Sequence, residues 1–335
     1  MKTAVVILNW NGKGFLEKFL PSVSQNSKGA DLWVIDNAST DDSVAFIKSD
    51  YPSIKIVENE ANGGFAKGYN DGLKHIEADI YVLLNSDVEV TKNWLNPILD
   101  LMKADPSIAA CQPKVKAFHN KNIFEHAGAA GGFMDKHGYT FCRGRIFNQT
   151  EDDRGQYNDS REIFWATGAC MFIRSEDYHR QAGLDEDFFA HMEEIDLCWR
   201  LKNEGRKIWY CSESTVYHVG GGTLTYASPK KTFLNFRNNL FTIAKNYRAG
   251  NLFIKIWWRL CLDGIAAIKF LFAFQFSHIF AVAKAHITFY LKLGSMLRKR
   301  KELGKNLNIN NTGTYDGGIV WQAFAKGNKT FNDLE

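Results

Sequence analysis

A chain of 335 residues, 45% hydrophobic and 23% charged, has an ordinary globular composition, and its length excludes a chain too small to bury a sizeable core, with room for a smaller unit beside the main one. Its net charge of +4 is unevenly spread, with 25 Lys/Arg against 32 Asp/Glu in residues 1–230 and 16 against 5 in residues 231–335. The basic second part reads as a module seeking an anionic surface.

The opening "MKTAVVILNWNG" superficially suggests a signal peptide, but its apolar run is too short and lacks a small-residue cleavage site, so it reads as a first strand. Short β-branched runs at 4–9, 32–36, 54–57 and 80–85 alternate with helical patterns near 14–26, 41–49 and 66–77. Continuous apolar strands separated by helices predict a doubly wound, mostly parallel sheet covered on both faces. Such sheets bind ligands outside the carboxyl ends of their strands. Here those ends read Asn9-Trp10-Asn11, Asp36-Asn37, Asn59 onward and Asn85-Ser86-Asp87, all rich in polar side chains. "GKGFLE" has only two of the three glycines of a dinucleotide fingerprint, and Gly12-Lys13 is followed by Gly14 rather than Ser or Thr, so a dinucleotide site and a P-loop are both excluded.

Further on, "FFAHMEEIDLCWRLKNEG" predicts a helix over 191–203 ending at Gly205. Glu193, Asp196 and Arg200 share one side of it, the last two as an i,i+4 ion pair. Glu194 falls instead among Leu197, Cys198 and Leu201. A carboxylate on an apolar face has a raised pKa, which suits a general base. The six cysteines form no CxxC pair and sit mostly in apolar runs, as small buried hydrophobes in a reducing compartment would.

Residues 252–294 account for many of the 25 Phe and 9 Trp. The longest uncharged stretch, Phe270–Ala283, is 14 residues, short of the ~20 needed to span a bilayer. Projected as one helix, Lys255, Arg259, Asp263, Lys269, Lys284 and Lys292 fall in an arc of about 140° opposite a wide apolar face. That pattern predicts helices lying in a membrane interface, with "RKRK" at 298–301 adding attraction to anionic lipid; Gly264 is a candidate break. A hairpin packed on protein is the alternative. No nucleic-acid module accompanies the charge, so nucleic acid is not expected as a partner.

Seven segments stand in order: "VVILNWNG", "VIDNASTDDS", "NGGFAKGYN", "LLNSDV", "ATGACMFIR", "GLDEDFFAHMEEIDLCWRLKNEG" and "VYHVGGGT". Over roughly residues 3–225 they resemble the family 2 glycosyltransferases, nucleotide-sugar transferases of GT-A fold, and especially the rhamnosyltransferase-like members. The resemblance implies an α/β, Rossmann-like GT-A catalytic domain at 1–230; beyond it, the aromatic and charge pattern reads as an amphipathic helical membrane-associating region at 231–303 and a tail at 304–335.

It also implies a donor site built from Asn9, Asn11, Asp36, Asn62, Gly63, Gly64, Lys67, Asn70, Asn85, Ser86 and Gly168. Asp36 would accept from a uracil or thymine N–H, with Asn11 and Asn70 donating to the ring carbonyls; a turn or N-cap role is the alternative for Asp36. Gly63, Gly64 and Gly68 free the backbone to approach the donor. Asp87 would hold Mg²⁺ or Mn²⁺ against the diphosphate. Family members commonly carry Asp-x-Asp here, whereas this chain has Asn85-Ser86-Asp87, one charge fewer. His218 would be a second metal ligand, with Gly220–Gly222 and Thr223 forming a mobile loop over the diphosphate.

Glu194 matches the second position of the family's Glu-Asp pair, with Glu193 and Asp196 as rivals. Trp165, Arg143 and Arg145 fall on the acceptor side, against the plainer readings of a buried Trp and solvated arginines. The implied activity is an inverting, metal-dependent transfer of a sugar, dTDP-rhamnose first among donors, to a glycan or lipid-linked acceptor in cell-surface polysaccharide synthesis. It would take place in the cytoplasm at the inner membrane face, with oligomeric state left open. The alternative is a catalytically silent sugar-nucleotide-binding or membrane scaffold.

Overall fold

A computed structural model describes residues 1–220, 228–305 and 307–334. The chain begins β1 (Thr3–Asn9), α1 (Lys13–Asn26), β2 (Asp31–Asp36), α2 (Ser43–Asp50), β3 (Lys55–Glu58), α3 (Gly64–Leu73) and β4 (Ile80–Asn85). The apolar runs pair as expected, with β1 parallel to both β2 and β4, and β2 parallel to β3. The third helix starts and stops earlier than its sequence pattern, at Leu73, where the backbone tightens into a turn that bonds His75 N to Gly72 O at 3.1 Å.

There follow β5 (Val88–Val90), α4 (Asn96–Ala104), β6 (Ile108–Ala117), β7 (Gly132–Asp135), β8 (Thr140–Cys142), β9 (Arg145–Ile146), β10 (Gln149–Thr150), β11 (Arg161–Ile163), β12 (Cys170–Arg174), α5 (Ser175–Arg180), α6 (Glu193–Asn203) and β13 (Lys207–His218). The main sheet runs β11-β13-β6-β12-β4-β1-β2-β3, with β5 added beside β13. It is parallel apart from β5, β11 and β12. Because side chains alternate along a strand, β1 sends Val5 and Ile7 to a core shared with Leu16, Leu20, Ile47 and Ile98, and Ala4 and Val6 to the opposite core beside Tyr69 and Leu73. Helices cover both faces, as the unbroken apolar strands require.

After α7 (Pro229–Asn246), α8 (Leu252–Phe272) and α9 (Phe276–Leu303) come β14 (Thr314–Tyr315) and α10 (Ile319–Phe324). β14 pairs in parallel with β7, completing a second sheet of order β10-β9-β8-β7-β14. Phe331 packs on Phe133 and Phe141, with ring centroids 4.8 and 6.1 Å away.

Two expectations about the basic region are corrected. The helix does not break at Gly264, which has open space around it; it breaks at Ala273–Gln275, where Phe274 takes φ +55°. Nor does the charged arc of α8 lie on a single side of the protein surface: Lys269 is exposed, but Arg259 and Asp263 are turned inward. Arg259 and Asp263 are buried, paired Nε to Oδ1 at 2.8 Å. The Arg259 guanidinium lies 3.8 Å from the Tyr139 ring centroid, and Asp263 Oδ2 meets His286 Nε2 at 3.2 Å. The apolar face points outward. Among the described residues no helix is long and apolar enough to cross a membrane. All six cysteines are free; five are buried as expected and Cys261 is exposed on α8.

Candidate active site

The carboxyl ends of β1 to β4 open onto one edge, where short polar side chains hold the loops in place. Asn9 Nδ2 donates to Asp36 Oδ1 at 3.0 Å and to Ser39 Oγ at 3.1 Å, and Asp36 Oδ2 accepts from Ser39 N at 2.9 Å. Asn11, at φ +48°, uses its Oδ1 to accept from Thr40 N at 2.7 Å. Asn62 Oδ1 accepts from Asn37 Nδ2 and Gly64 N, both at 2.9 Å. Gly64 needs to be glycine twice over: its φ is +84°, and a Cβ would lie 2.8 Å from both the ring and the carbonyl oxygen of Phe189. Gly68 likewise lets α3 close on Leu8 and Asn37, which a Cβ would approach to 2.9 and 3.0 Å.

At the end of β4, strand register brings distant residues together. β5 pairs antiparallel with β13 so that His218 stands opposite Val88, the residue after Asp87. His218 Nε2 lies 3.2 Å from Asp87 Oδ1, and His218 Nδ1 lies 3.2 Å from Glu125 Oε2. Burial opposes charge on this ring, but the hydrogen bonds and charges of Asp87 and Glu125 outweigh it and raise its pKa to about 10. Glu125 is kept low despite burial by His218 and by Ala127 N, which it accepts at 2.5 Å. Two carboxylates thus draw positive charge to one buried imidazole.

The two carboxylates that draw a proton to His218 would draw a divalent cation in its place, leaving the ring neutral so that Asp87 and His218 Nε2, 3.2 Å apart, could both face the ion. Mg²⁺ and similar ions are usually held by one or two protein groups plus substrate phosphates rather than by a full protein cage. Among the described residues no set of three or more His, Cys, Asp and Glu is arranged to hold an ion. A carboxylate behind the second nitrogen is also how metal-binding histidines are commonly oriented. Glu125 was not singled out in the sequence. Its "FEHAG" context follows no strand or helix period; Glu125 N on Val115 O at 3.0 Å ties it to β6, and the β6–β13 pairing brings it to His218.

Beyond these strand ends, α6 begins after a strained turn in which Phe189, His191 and Met192 have φ of +65°, +68° and +74°. Asn238 of α7 clamps this turn, its Nδ2 donating to the carbonyls of Phe188, Ala190 and His191 at 3.1, 2.9 and 2.7 Å. Arg237 orients that amide, Nε to Oδ1 at 2.8 Å, and bonds Asp187 O and Phe188 O. Just beyond, Glu194 leans toward Gly168, whose Cβ would lie 3.8 Å from the Glu194 side chain and 3.5 Å from the Phe65 ring. Burial raises the Glu194 carboxyl to about 7, against the lowering effect of amides at the helix start. Its Oε2 is shielded and has no hydrogen-bond partner among the described residues.

Residues 4–180 match the sequence profile of Glycosyl transferase family 2. The chain belongs to this family. It is 23% identical over 231 residues to the Mycobacterium tuberculosis N-acetylglucosaminyl-diphospho-decaprenol L-rhamnosyltransferase, covering 64% of this chain and 75% of that one. It is 20% identical to Escherichia coli rhamnosyltransferase WbbL, covering 64% and 82%. Among solved structures, GalNAc-T7 with UDP, GalNAc and Mn²⁺ superposes with a TM-score of 0.57 at 18% identity, over 73% of this chain and 48% of that one. The Pyrobaculum calidifontis mannosyltransferase PcManGT with GDP-Man and Mn²⁺ gives 0.54 at 14% identity, over 90% and 84%. These structures share the GT-A fold with this chain.

Within the family 2 fold, several residues expected at the site are committed elsewhere. Asp196 is not a rival base: it is fully buried, accepting from Arg200 Nε at 2.9 Å and from Lys245 Nζ and Asn246 Nδ2 at 2.8 Å each. Asn70 is turned to the protein, bonded to Leu184 O, Leu184 N and Tyr178 Oη at 2.8, 2.9 and 2.7 Å, so it cannot also read a base. Arg143 is buried against Tyr157 and Tyr210 and paired with Asp159 at 2.6 Å. Arg145 is also buried, donating to Phe147 O at 3.0 Å. Trp165 lies in the core under Gly132, its indole N–H on Phe133 O at 3.0 Å. Lys67 is tied to Asp71 at 2.7 Å on the surface. For Asp36 the observed bonds are those of the turn role. Glu193 is fully buried and its pKa is raised by burial and then by Glu194, while Glu194 keeps the more open position. Gly221, Gly222 and Thr223 lie outside the described residues.

Proposed function

We propose that this glycosyltransferase is an inverting, divalent-cation-dependent enzyme that moves a sugar from a nucleotide-diphosphate donor to a glycan or lipid-linked acceptor in cell-surface polysaccharide synthesis. The observation that carries this reading is Glu194, whose Oε2 has no hydrogen-bond partner among the described residues and whose side chain stands beside Gly168 and Phe65, while the residue after Gly168, Ala169, accepts from Asn85 N at 3.0 Å at the end of β4, two residues before Asp87. Rhamnose from dTDP-rhamnose is the first donor to test, supported by the names of the Mycobacterium and Escherichia relatives. A lipid-linked acceptor is supported by the Mycobacterium relative, whose name specifies a diphospho-decaprenol.

In this reading Asn9, Asn11, Asp36 and Asn62 with Gly63 and Gly64 shape the nucleotide end of the donor site, and Asn85, Ser86 and Gly168 border the sugar. Asp87 and His218 would hold Mg²⁺ or Mn²⁺, which when bound offsets the charge of the departing diphosphate. Glu194 takes the proton of an acceptor hydroxyl. That oxygen bonds to the anomeric carbon opposite the leaving group, the carbon–diphosphate oxygen bond breaks, and the nucleoside diphosphate leaves with the configuration inverted. The catalytic unit is residues 1–230 together with α7, whose Asn238 and Lys245 hold the turn before α6 and Asp196, and the segment after 304, whose β14 and Phe331 complete the second sheet; α8 and α9 are the part that meets the inner face of the cytoplasmic membrane.

The test is release of nucleoside diphosphate from a panel of nucleotide sugars, with and without Mn²⁺. The reading expects one preferred donor and loss of release in Asp87→Ala. Donor binding without release under every condition, or an unaffected Asp87→Ala, would overturn it.

A further inference from the structure

We infer that the outer face of the α8–α9 hairpin is an in-plane anchor for an anionic lipid surface. This deepens the membrane-face reading above and rests on it.

The observation is the inversion of α8. Its charged pair, Arg259 and Asp263, is turned into the protein, while Trp257 is 62%, Ile265 61% and Phe272 79% exposed. Across the elbow, Phe280 and Leu291 of α9 are exposed to similar degrees. A helix that buries its ion pair and shows its aromatic side to the outside has the pattern of a surface made to be covered. Neither helix can cross a bilayer, so the face lies along an interface rather than through it.

Charge selects the occupant. From Leu252 to Lys301 the sole carboxylate is Asp263, which is fully buried. The exposed charges of this span are all positive: Lys269, Lys284, Arg298 and Lys301, with Lys292 turned instead to Asp187 Oδ1 at 3.4 Å. A second copy docking through the same patch would bring like charges together with no acid to pair them. Anionic headgroups above an acyl layer match both features of the face, the cations and the aromatic side chains.

The hairpin is also fastened to the catalytic body. Lys299 bonds Asp185 Oδ1 at 2.6 Å and Asp187 Oδ2 at 2.8 Å, just ahead of the clamped turn before α6. Lipid contact at α8 and α9 therefore fixes the orientation of the cleft relative to the surface that carries the acceptor.

The test uses the full chain with vesicles of phosphatidylcholine alone or with about 30% phosphatidylglycerol, read by flotation and by tryptophan emission. Binding to the anionic vesicles is expected, with a blue shift from Trp257 and Trp258 and weakening by salt. Ile265→Glu with Phe272→Glu should lower partitioning at least about tenfold, and Lys284→Glu with Arg298→Glu should lower it on anionic vesicles only. Both pairs lie on the surface, so donor release with a water-soluble acceptor analogue should persist, which separates failure of the anchor from failure of the chemistry. Absence of vesicle binding at low salt would overturn the inference. So would wild-type binding by the Glu variants, or a dimer in sedimentation velocity that Phe272→Glu dissociates in a chain that binds no vesicles.

Discussion

Replacing Glu194 by Gln should cost activity and add stability in the same molecule. Burial raises this carboxyl from 4.5 to about 7. Between those values the unfolded chain has released a proton that the folded chain still holds, so stability falls as pH rises through the window and stays low above it. The gap is about 3 kcal/mol at pH 8. It vanishes below pH 4.5, where both states are protonated. Gln carries no charge, so Glu194→Gln should melt higher at pH 8 by on the order of 5 °C and match the wild type near pH 4. Turnover should fall roughly 10²- to 10⁴-fold, with donor affinity by calorimetry unchanged. In the wild type, activity at pH 6 should be about a tenth of its plateau, because a base with a pKa one unit higher is about 10% ionised there. A variant that turns over normally, or whose Tm gains nothing at pH 8 relative to pH 4, would refute the assignment of a buried, charge-strained base.

Glu125→Gln keeps the shape behind His218 but removes its charge, and should weaken Mn²⁺ binding about 10- to 100-fold, measured by electron paramagnetic resonance without donor or acceptor. Asn238→Asp has the size of the amide but none of its donors to Phe188, Ala190 and His191; kcat should drop on the order of 10²-fold at constant donor KM, with no further loss in a Glu194→Gln background. Gly64→Ala forces a side chain onto φ +84° and against Phe189, and should destabilise by about 1–2 kcal/mol or more, read by urea unfolding.

The first half of the sheet was legible because β1, β2 and β4 carry unbroken apolar runs whose ends turn polar at once, and the short β3 carries Ile56 and Val57 between charged ends. Glu194 was legible for a related reason: helical spacing sets it among Leu197, Cys198 and Leu201, all buried in the structure. Partners far along the chain were not. Asn70 finds Leu184 across 114 residues, and Lys245 finds Asp196 across 49; no local period announces such pairs, so side chains that look available in sequence turn out to be spoken for. The α8 projection grouped Arg259 and Asp263 correctly on one side, but an amphipathic wheel says which residues share a face and not which face is covered.

The strand β14 has a kinetic consequence. Ile319 N donates to Asp135, 184 positions earlier in the chain, and the edge of β7 is closed only when this late segment arrives. During synthesis β7 waits with an unpaired edge, and Phe133 and Phe141 wait without Phe331, while α7 to α9 are still being made. Closing so long a loop is slow, and an open edge beside bare aromatic rings invites pairing with a neighbouring nascent chain. Yield on expression should therefore depend on how fast this strap docks, and a chaperone that shields β7 would help more than any gain in the stability of the finished fold.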